Sequence, residues 1–280
     1  MSAGWWGGSS GGIVTQCYST GAVSGKRFVG GLVGENDGEV TQCYSTGVVS
    51  AVDVVGGLVG DNYGAVTQCY STGTVRGDSD VGGLVGSGSK LTQCYSTGSV
   101  SGKDYVGGLV GSGSNLTQCY STGAVNGTGD NVGGLVGHSD QGTAIACLWD
   151  TETSGQTKSA GGTRKTTAEM QTAKTFLDAG WDWVGETKNG TSEIWQMPQG
   201  SGYPILAIFH GYTPPQLKGL GTPDDPYLIS NALELGAMVC YSLSAHYRLV
   251  PEQANTPGLH GWRTRCSVSA YSLCLRRSAA

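Results

Sequence analysis

Two short segments alternate along the first half of the chain, and their spacing constrains everything else. Thr-Gln-Cys-Tyr-Ser-Thr-Gly occurs at residues 15–21, 41–47, 67–73, 92–98 and 117–123. Val-Gly-Gly-Leu-Val-Gly begins at Val29, Val55, Val81, Val106 and Val132. Copies of the first lie 26, 26, 25 and 25 residues apart, and copies of the second 26, 26, 25 and 26. A period in the twenties indicates a solenoid: one repeat cannot bury its apolar face alone and does so by stacking on its neighbours. A catalytic centre, in contrast, is normally built once.

The length changes fall in one kind of place. Five residues, Glu-Asn-Asp-Gly-Glu, separate Gly34 from Val40, and Asp-Asn-Tyr-Gly-Ala separates Gly60 from Val66. Later copies have four residues before Leu91 and Leu116, and one residue is added in 126–131. All these segments are rich in Gly, Ser, Asn or Asp, while the β-forming segments keep their length. That is expected where strands are locked in register and turns are free. In one unit, residues 56–60 read as a short strand, 61–65 as a turn, 66–71 as the main strand, 74–75 as a third strand and 76–80 as a second turn. The fold class is therefore all-β, a parallel β-solenoid (β-helix) of coils of 25–26 residues with a small α+β C-terminal cap. Successive coils would pair about 4.8 Å apart. A row of β-hairpins is the competing architecture, but no two-residue hairpin turn recurs.

Composition agrees. Gly makes up 49 of 280 residues, far above the roughly 7% of average usage. There is no Gly-X-Y period, which excludes collagen. An apolar content of 38% with a net charge of −5 excludes simple disorder. The mild charge offers no basic footprint for nucleic acid. No apolar run approaches the ~20 residues needed for a membrane span. Residues 1–12 lack the basic and apolar regions of a signal peptide, so the chain either stays inside the cell or is a fragment that has lost its export signal.

The recurring Gly-Gly-Leu-Val-Gly followed by Val-Thr-Gln-Cys-Tyr-Ser-Thr-Gly resembles the GLUG-motif repeat family, over roughly residues 1–142. The resemblance implies a β-solenoid, an extracellular or cell-surface setting, and kinship with large bacterial adhesin-like proteins and the flanking regions of some immunoglobulin A peptidases. It supplies no catalytic motif, and the peptidase signature His-Glu-x-x-His is absent from the sequence.

Four regions follow. Residues 1–142 are the repeats, with Gly4-Trp5-Trp6-Gly7-Gly8 in the place of a Gly-Gly-Leu-Val-Gly element. Residues 143–212 hold a degenerate last coil carrying Cys147, then a helix-containing cap. There Thr166 and Glu169 make a capping box, apolar positions over 168–179 have helical spacing, and Gly180 supplies the stop. Trp181, Trp183, Trp195 and Tyr203 suit a cover for the open end of the solenoid. Residues 213–250 begin a further, truncated module, with a strand at 227–229 and a helix from Ala232 capped by Asn231 and Glu234. Residues 251–280 break the pattern and read as an irregular tail, disordered or out of frame.

The repeat carries chemistry-bearing residues in rows. Cys17, Cys43, Cys69, Cys94 and Cys119 occupy equivalent positions, with no His inside the repeat to act as base and no Cys-x-x-Cys pair to bind zinc. They read as small buried hydrophobes and free thiols. Tyr18, Tyr44, Tyr70, Tyr95 and Tyr120 form a second row, either stacked packing or an aromatic strip for sugars or partner proteins. Thr15, Thr41, Thr67, Thr92 and Thr117 form a third, either hydroxyl pairing between coils or, if flat and outward, an ice-binding face. The acids of the turns shift from copy to copy and read as solvated rather than as a calcium site. Asn115, Asn126 and Asn189 begin Asn-x-Thr glycosylation triplets.

The expected function is a non-catalytic extracellular scaffold, adhesion-like, as part of a larger surface protein. No enzyme activity, cofactor, metal or nucleic-acid partner is expected. Surface glycans or proteins are the expected partners, along with the rest of the parent chain. The alternatives are an ice- or carbohydrate-binding solenoid using the Thr or Tyr rows, and a non-catalytic region of a larger surface enzyme.

Overall fold

The computed structural model describes residues 11–140, 142–185, 188–198, 202–209, 218–219, 222–229, 246–249 and 272–273. Residues 11–150 form a parallel β-solenoid of about five coils, with an incomplete further turn around Cys147. Each coil passes through four sheets that run the length of the solenoid. In the third coil, Ala65–Thr67 joins a nine-stranded sheet, Tyr70–Ser71 an eight-stranded sheet, and Val75–Arg76 and Ser79–Gly82 two five-stranded sheets. Val85–Thr92 then returns to the nine-stranded sheet and leads straight into the next coil. Register follows the repeat: Val66 pairs with Val40 and Leu91, Tyr70 with Tyr44 and Tyr95, and Val75 with Val49 and Val100.

Two cores run in parallel. The larger is lined by the cysteine row, Leu32, Leu58, Leu84, Leu109 and Leu135, and the valine or leucine row that starts at Val40. The smaller lies between the five-stranded sheets and consists of ten valines, two from each coil. In the smaller core Val23, Val75 and Val125 are each followed by an exposed polar residue, Ser24, Arg76 and Asn126, which is how a short strand buries one face.

Two of the expected strands are divided, whereas the expected turns at 87–90 and 112–115 are absorbed into the eight-residue strands Val85–Thr92 and Val110–Thr117. Residues 66–71 are divided at Gln68, which takes the left-handed φ of 51° and turns Cys69 into the core. Residues 56–60 are divided at Gly57-Leu58, giving Asp53–Gly56 and Val59–Asn62. The cause of the second break is an arch of glycines. A Cβ on Gly56 would lie 1.8 Å from the carbonyl oxygen of Val59 and 2.7 Å from the nitrogen of Gly86. A Cβ on Gly60 would lie 2.6 Å from the carbonyl carbon of Phe28 and 2.7 Å from the nitrogen of Val29. Backbone therefore meets backbone where the chain doubles back, and only glycine leaves room. The second glycine of each pair is equally tight: a Cβ on Gly57 would lie 2.1 Å from the carbonyl oxygen of Gly83 and 2.3 Å from Ser71 Oγ.

The expected cap over the solenoid end is divided between two places. Residues 158–165 cross the end itself. Gly134 N–H donates to Lys158 O, Ala160 N–H donates to Val136 O, and Thr163–Lys165 pairs in parallel with Leu148–Asp150. The aromatic part lies along the flank instead. Phe176, Trp181, Trp183, Trp195 and Leu206 pack with Tyr95, Tyr120 and Leu148 on the outer face of the eight-stranded sheet. That face carries the stacked tyrosine row. The expected helix over 168–179 is two helices, α1 (Thr167–Met170) and α2 (Ala173–Asp178). The Thr166–Glu169 capping box is present. The Thr172 hydroxyl bonds back to Ala168 O (2.8 Å) at the break, a local bond of the kind that bends helices.

The strand Tyr227–Ile229 pairs in parallel with Tyr247–Leu249, and Ser272–Leu273 pairs antiparallel with Tyr18–Ser19. Gly4–Gly8, the helix expected from Ala232 and the rest of the tail lie outside the described residues.

Candidate functional site

The rows singled out in the sequence end up in three different environments. The cysteines are interior. Four backbone N–H groups donate to the Sγ one coil on, from Cys17 to Cys43 (3.3 Å), Cys43 to Cys69 (3.3 Å), Cys69 to Cys94 (3.4 Å) and Cys119 to Cys147 (3.4 Å). All six are free thiols and buried. Burial pushes the thiols of Cys69, Cys94 and Cys119 well above their ordinary range, and the bond to Cys119 together with burial does the same to Cys147. A thiol held protonated is neither nucleophile nor metal ligand.

The tyrosines stack. Ring centroids are 5.1, 4.9, 4.9 and 5.0 Å apart along the row, and the planes are within 12° of parallel. The chain's own C-terminal residues cover most of this strip. Phe209 sets its edge on Tyr44 and Tyr70, and Trp195 packs on Tyr95 and Tyr120. Tyr120 donates its hydroxyl proton to Pro204 O. Burial raises the phenols of Tyr70, Tyr95 and Tyr120.

The threonines face out. Thr15 is exposed, and Thr41, Thr67, Thr92 and Thr117 are half-buried and paired in register on the nine-stranded sheet. Beside them runs a row that the sequence reading overlooked. Gln16, Gln42, Gln68, Gln93 and Gln118 all take φ between 50° and 55°. Each Nε2 donates to the Oε1 of the next: Gln16 to Gln42 (3.3 Å), Gln42 to Gln68 (3.0 Å), Gln68 to Gln93 (3.2 Å) and Gln93 to Gln118 (3.1 Å). The last amide, Gln118, donates to Gly180 O in the cap (2.8 Å). The available signal was the identity of Gln in all five copies at a corner where Gly would be the default.

The cap is clasped by one buried carboxylate. Asp150 ends the last solenoid strand and is fully buried. It accepts from Glu152 N–H (2.9 Å), from the Thr167 hydroxyl (2.8 Å) and from the Tyr203 hydroxyl (2.7 Å). Trp181 Nε1–H donates to Ala146 O (2.8 Å) in the same region. These bonds tie 167–203 to the terminal coil. A shallow cleft between Thr151, Gln156, Arg164 and Glu169 lies nearby. Among the described residues no group of His, Cys, Asp and Glu is arranged to hold a metal ion, and no helix is long and apolar enough to cross a membrane.

A parallel solenoid whose coils are defined by a glycine arch and stacked identical side chains is a repeat protein of the β-helical class. Residues 29–50 and 54–76 match the family described as the GLUG motif, so the chain carries GLUG repeats. Each match spans most of one coil, and the arch is the Gly-Gly-Leu-Val-Gly segment inside it. A 60-residue stretch is 42% identical to a protein of Evansella cellulosilytica named "Putative Gly-rich membrane protein". The match covers 19% of this chain and 7% of that relative. No solved structure matches the chain.

Proposed function

We propose that the chain is a non-catalytic, adhesion-like scaffold at a bacterial cell surface, acting as a stretch of a longer protein. The observation that carries this reading is where the repeated side chains go. Cysteine, tyrosine and glutamine each bond or stack with their own kind in the next coil, and glycine opens the arch. These three residue types, kept in every copy, serve stacking, which suits a part that spans distance. The surface placement rests on the name of the bacterial relative and on the setting that GLUG repeats imply. The test is twofold: surface labelling of intact producing cells with antibody against residues 11–150, and binding of beads coated with the chain to glycan and matrix-protein arrays. Label on intact cells with saturable bead binding is expected. Label only after lysis would overturn the surface placement, and absence of any saturable binding would overturn the adhesive role.

A second reading has one observation in its favour. The threonine and glutamine rows together form a regular outward strip, while the tyrosine strip is largely covered. An ice- or glycan-binding solenoid would use the former. Thr67→Lys with Thr92→Lys should then abolish thermal hysteresis or glycan retention while leaving the melting temperature unchanged.

A further inference from the structure

Two Asn-Gly-Thr triplets occur in the chain, at 126–128 and 189–191, and the structure gives them opposite surroundings. We propose that Asn126 is a self-modifying site that converts to aspartate and isoaspartate, and that Asn189 is held against the same reaction. In this conversion the amide nitrogen of Gly127 attacks Cγ of Asn126. A C–N bond forms, the Cγ–Nδ2 bond breaks, and ammonia leaves carrying the proton given up by the Gly127 amide. Water then opens the five-membered imide at either carbonyl. One water enters, one ammonia leaves, and nothing is oxidised or reduced. Glycine after the asparagine matters because no Cβ shields the attacking nitrogen.

At Asn126 two conditions that favour the reaction are met, exposure and an attacking nitrogen with no forward acceptor among the described residues. Val125–Asn126 is the edge strand of its sheet, and 126–130 are all exposed. In earlier coils the equivalent N–H donates forward: Gly25 to Ser50 O, Gly77 to Ser101 O and Gly102 to Asn126 O. Gly127 is the first with no next strand in that sheet, so its nitrogen has no such acceptor among the described residues. At Asn189 the leaving amide is tied down, since Nδ2 donates to Leu177 O (2.9 Å) and Trp181 O (3.2 Å). Gly190 is itself packed against the Asp182 carboxylate. Conversion at 126 places a new carboxylate at the end of the outward row Ser24, Ser50, Arg76, Ser101, beside the Gln156 amide that donates to Val125 O (2.8 Å).

The experiment ages the purified full chain at mildly alkaline pH and maps its peptides by mass, with an isoaspartate assay, in buffer and in urea. In urea both sites should convert at similar rates. In buffer Asn126 should convert faster than Asn189 by about tenfold or more, the factor that two ordinary hydrogen bonds impose on a group that must break them to react. Asn126→Gln should abolish the signal at 126 and leave conversion of Asn189 in urea unchanged. Equal or faster conversion of Asn189 in buffer overturns the proposal. So does an Asn126 that stays amidated in buffer while it converts in urea.

Discussion

Alkaline pH should unfold this chain abruptly, because its interior is built from acids that cannot ionise where they sit. The thiols of Cys69, Cys94, Cys119 and Cys147 are raised above an ordinary value of 9.0, chiefly by burial in the first three and by the Cys119 bond in the fourth. In the unfolded chain they ionise from about pH 9, whereas in the fold they keep their protons. The folded state then binds more protons than the unfolded one. The stability these groups support is complete below pH 9 and is lost as pH rises above it. Each group contributes about 1 kcal/mol over the first unit above its unfolded value and about 1.4 kcal/mol per unit beyond it, so four remove about 4 kcal/mol between about pH 9 and 10. Above an ordinary phenol value of 10.0, Tyr70, Tyr95 and Tyr120 join them, raised first by burial. They add about 4 kcal/mol per further unit. A domain with a total stability of about 5–15 kcal/mol cannot survive much beyond pH 10 to 11 on that slope. The assay is far-ultraviolet circular dichroism against pH, with tyrosinate absorbance followed in the same sample. Both should change together in one steep step. The double variant Cys69→Ala with Cys94→Ala, which removes two of the four thiols and leaves the Cys119–Cys147 bond in place, should lower the slope between pH 9 and 10 by about half. A gradual rise in tyrosinate absorbance near pH 10 with unchanged circular dichroism would refute the argument, since it would mean the rows ionise in place.

Three structural predictions accompany this one. Gly56→Ala drives a methyl into the carbonyl of Val59 and should destabilise by at least the ~3 kcal/mol typical of severe overpacking; Gly155→Ala, with φ 68° and nothing within 4 Å, should lose only about 1 kcal/mol. Gln68→Gly should be less harmful than Gln68→Ala by about 1 kcal/mol, because both break the amide row but only glycine relieves the left-handed backbone; chemical denaturation in urea reads the difference. Deleting 41–66 removes one coil whole: Thr15 then meets Thr67, Leu32 meets Leu84, and Tyr18 takes the place of Tyr44 beneath Phe209. That variant should melt cooperatively, whereas deleting only 41–53 should not fold, because strand then faces turn.

The sequence made the coil legible because its period, its identical residues and the position of its length changes all agree. It did not make the strand boundaries legible. The β-forming run at 66–71 contains a glutamine in a conformation that β-propensity does not anticipate. The Gly-Gly-Leu-Val-Gly segment read as one short strand, but its glycines mark a break where backbone closely approaches backbone, including that of a neighbouring coil, which has no local signature. The cap could be recognised from its tryptophans and its capping box. Its location could not, because the tyrosine row gave no sign in the sequence of which way it faced. Asp150 was invisible for a similar reason: its partners Thr167 and Tyr203 lie 17 and 53 residues away.

The last turn shows how a stack of identical coils is brought to a stop. Where earlier copies read Thr-Gln-Cys-Tyr-Ser, the final one reads Ile145-Ala146-Cys147-Leu148-Trp149. Only the cysteine is retained, and it still accepts from Cys119. Each change ends a row. Trp149 is in register with Ser121 and lies where a Cβ on Gly134 would be 2.0 Å from its ring, so it fills the open end of the larger core. Leu148 follows Tyr120 and hands the aromatic strip over to Trp181 and Trp195. Ala146 keeps the left-handed φ of 52° but has no amide, so Gln118 turns to Gly180 and ties down the cap. Ala146→Gln would restore an acceptor at coil spacing, on a backbone already shaped for glutamine. Gln118 would then rejoin the row, and the cap would lose one of its ties to the solenoid. The expected outcome is faster hydrogen exchange over 176–183 with unchanged protection of the strands at 116–121. Unchanged exchange in the cap would show that the Gln118–Gly180 bond contributes nothing to holding it, and that ending the amide row is not what frees Gln118 for the cap.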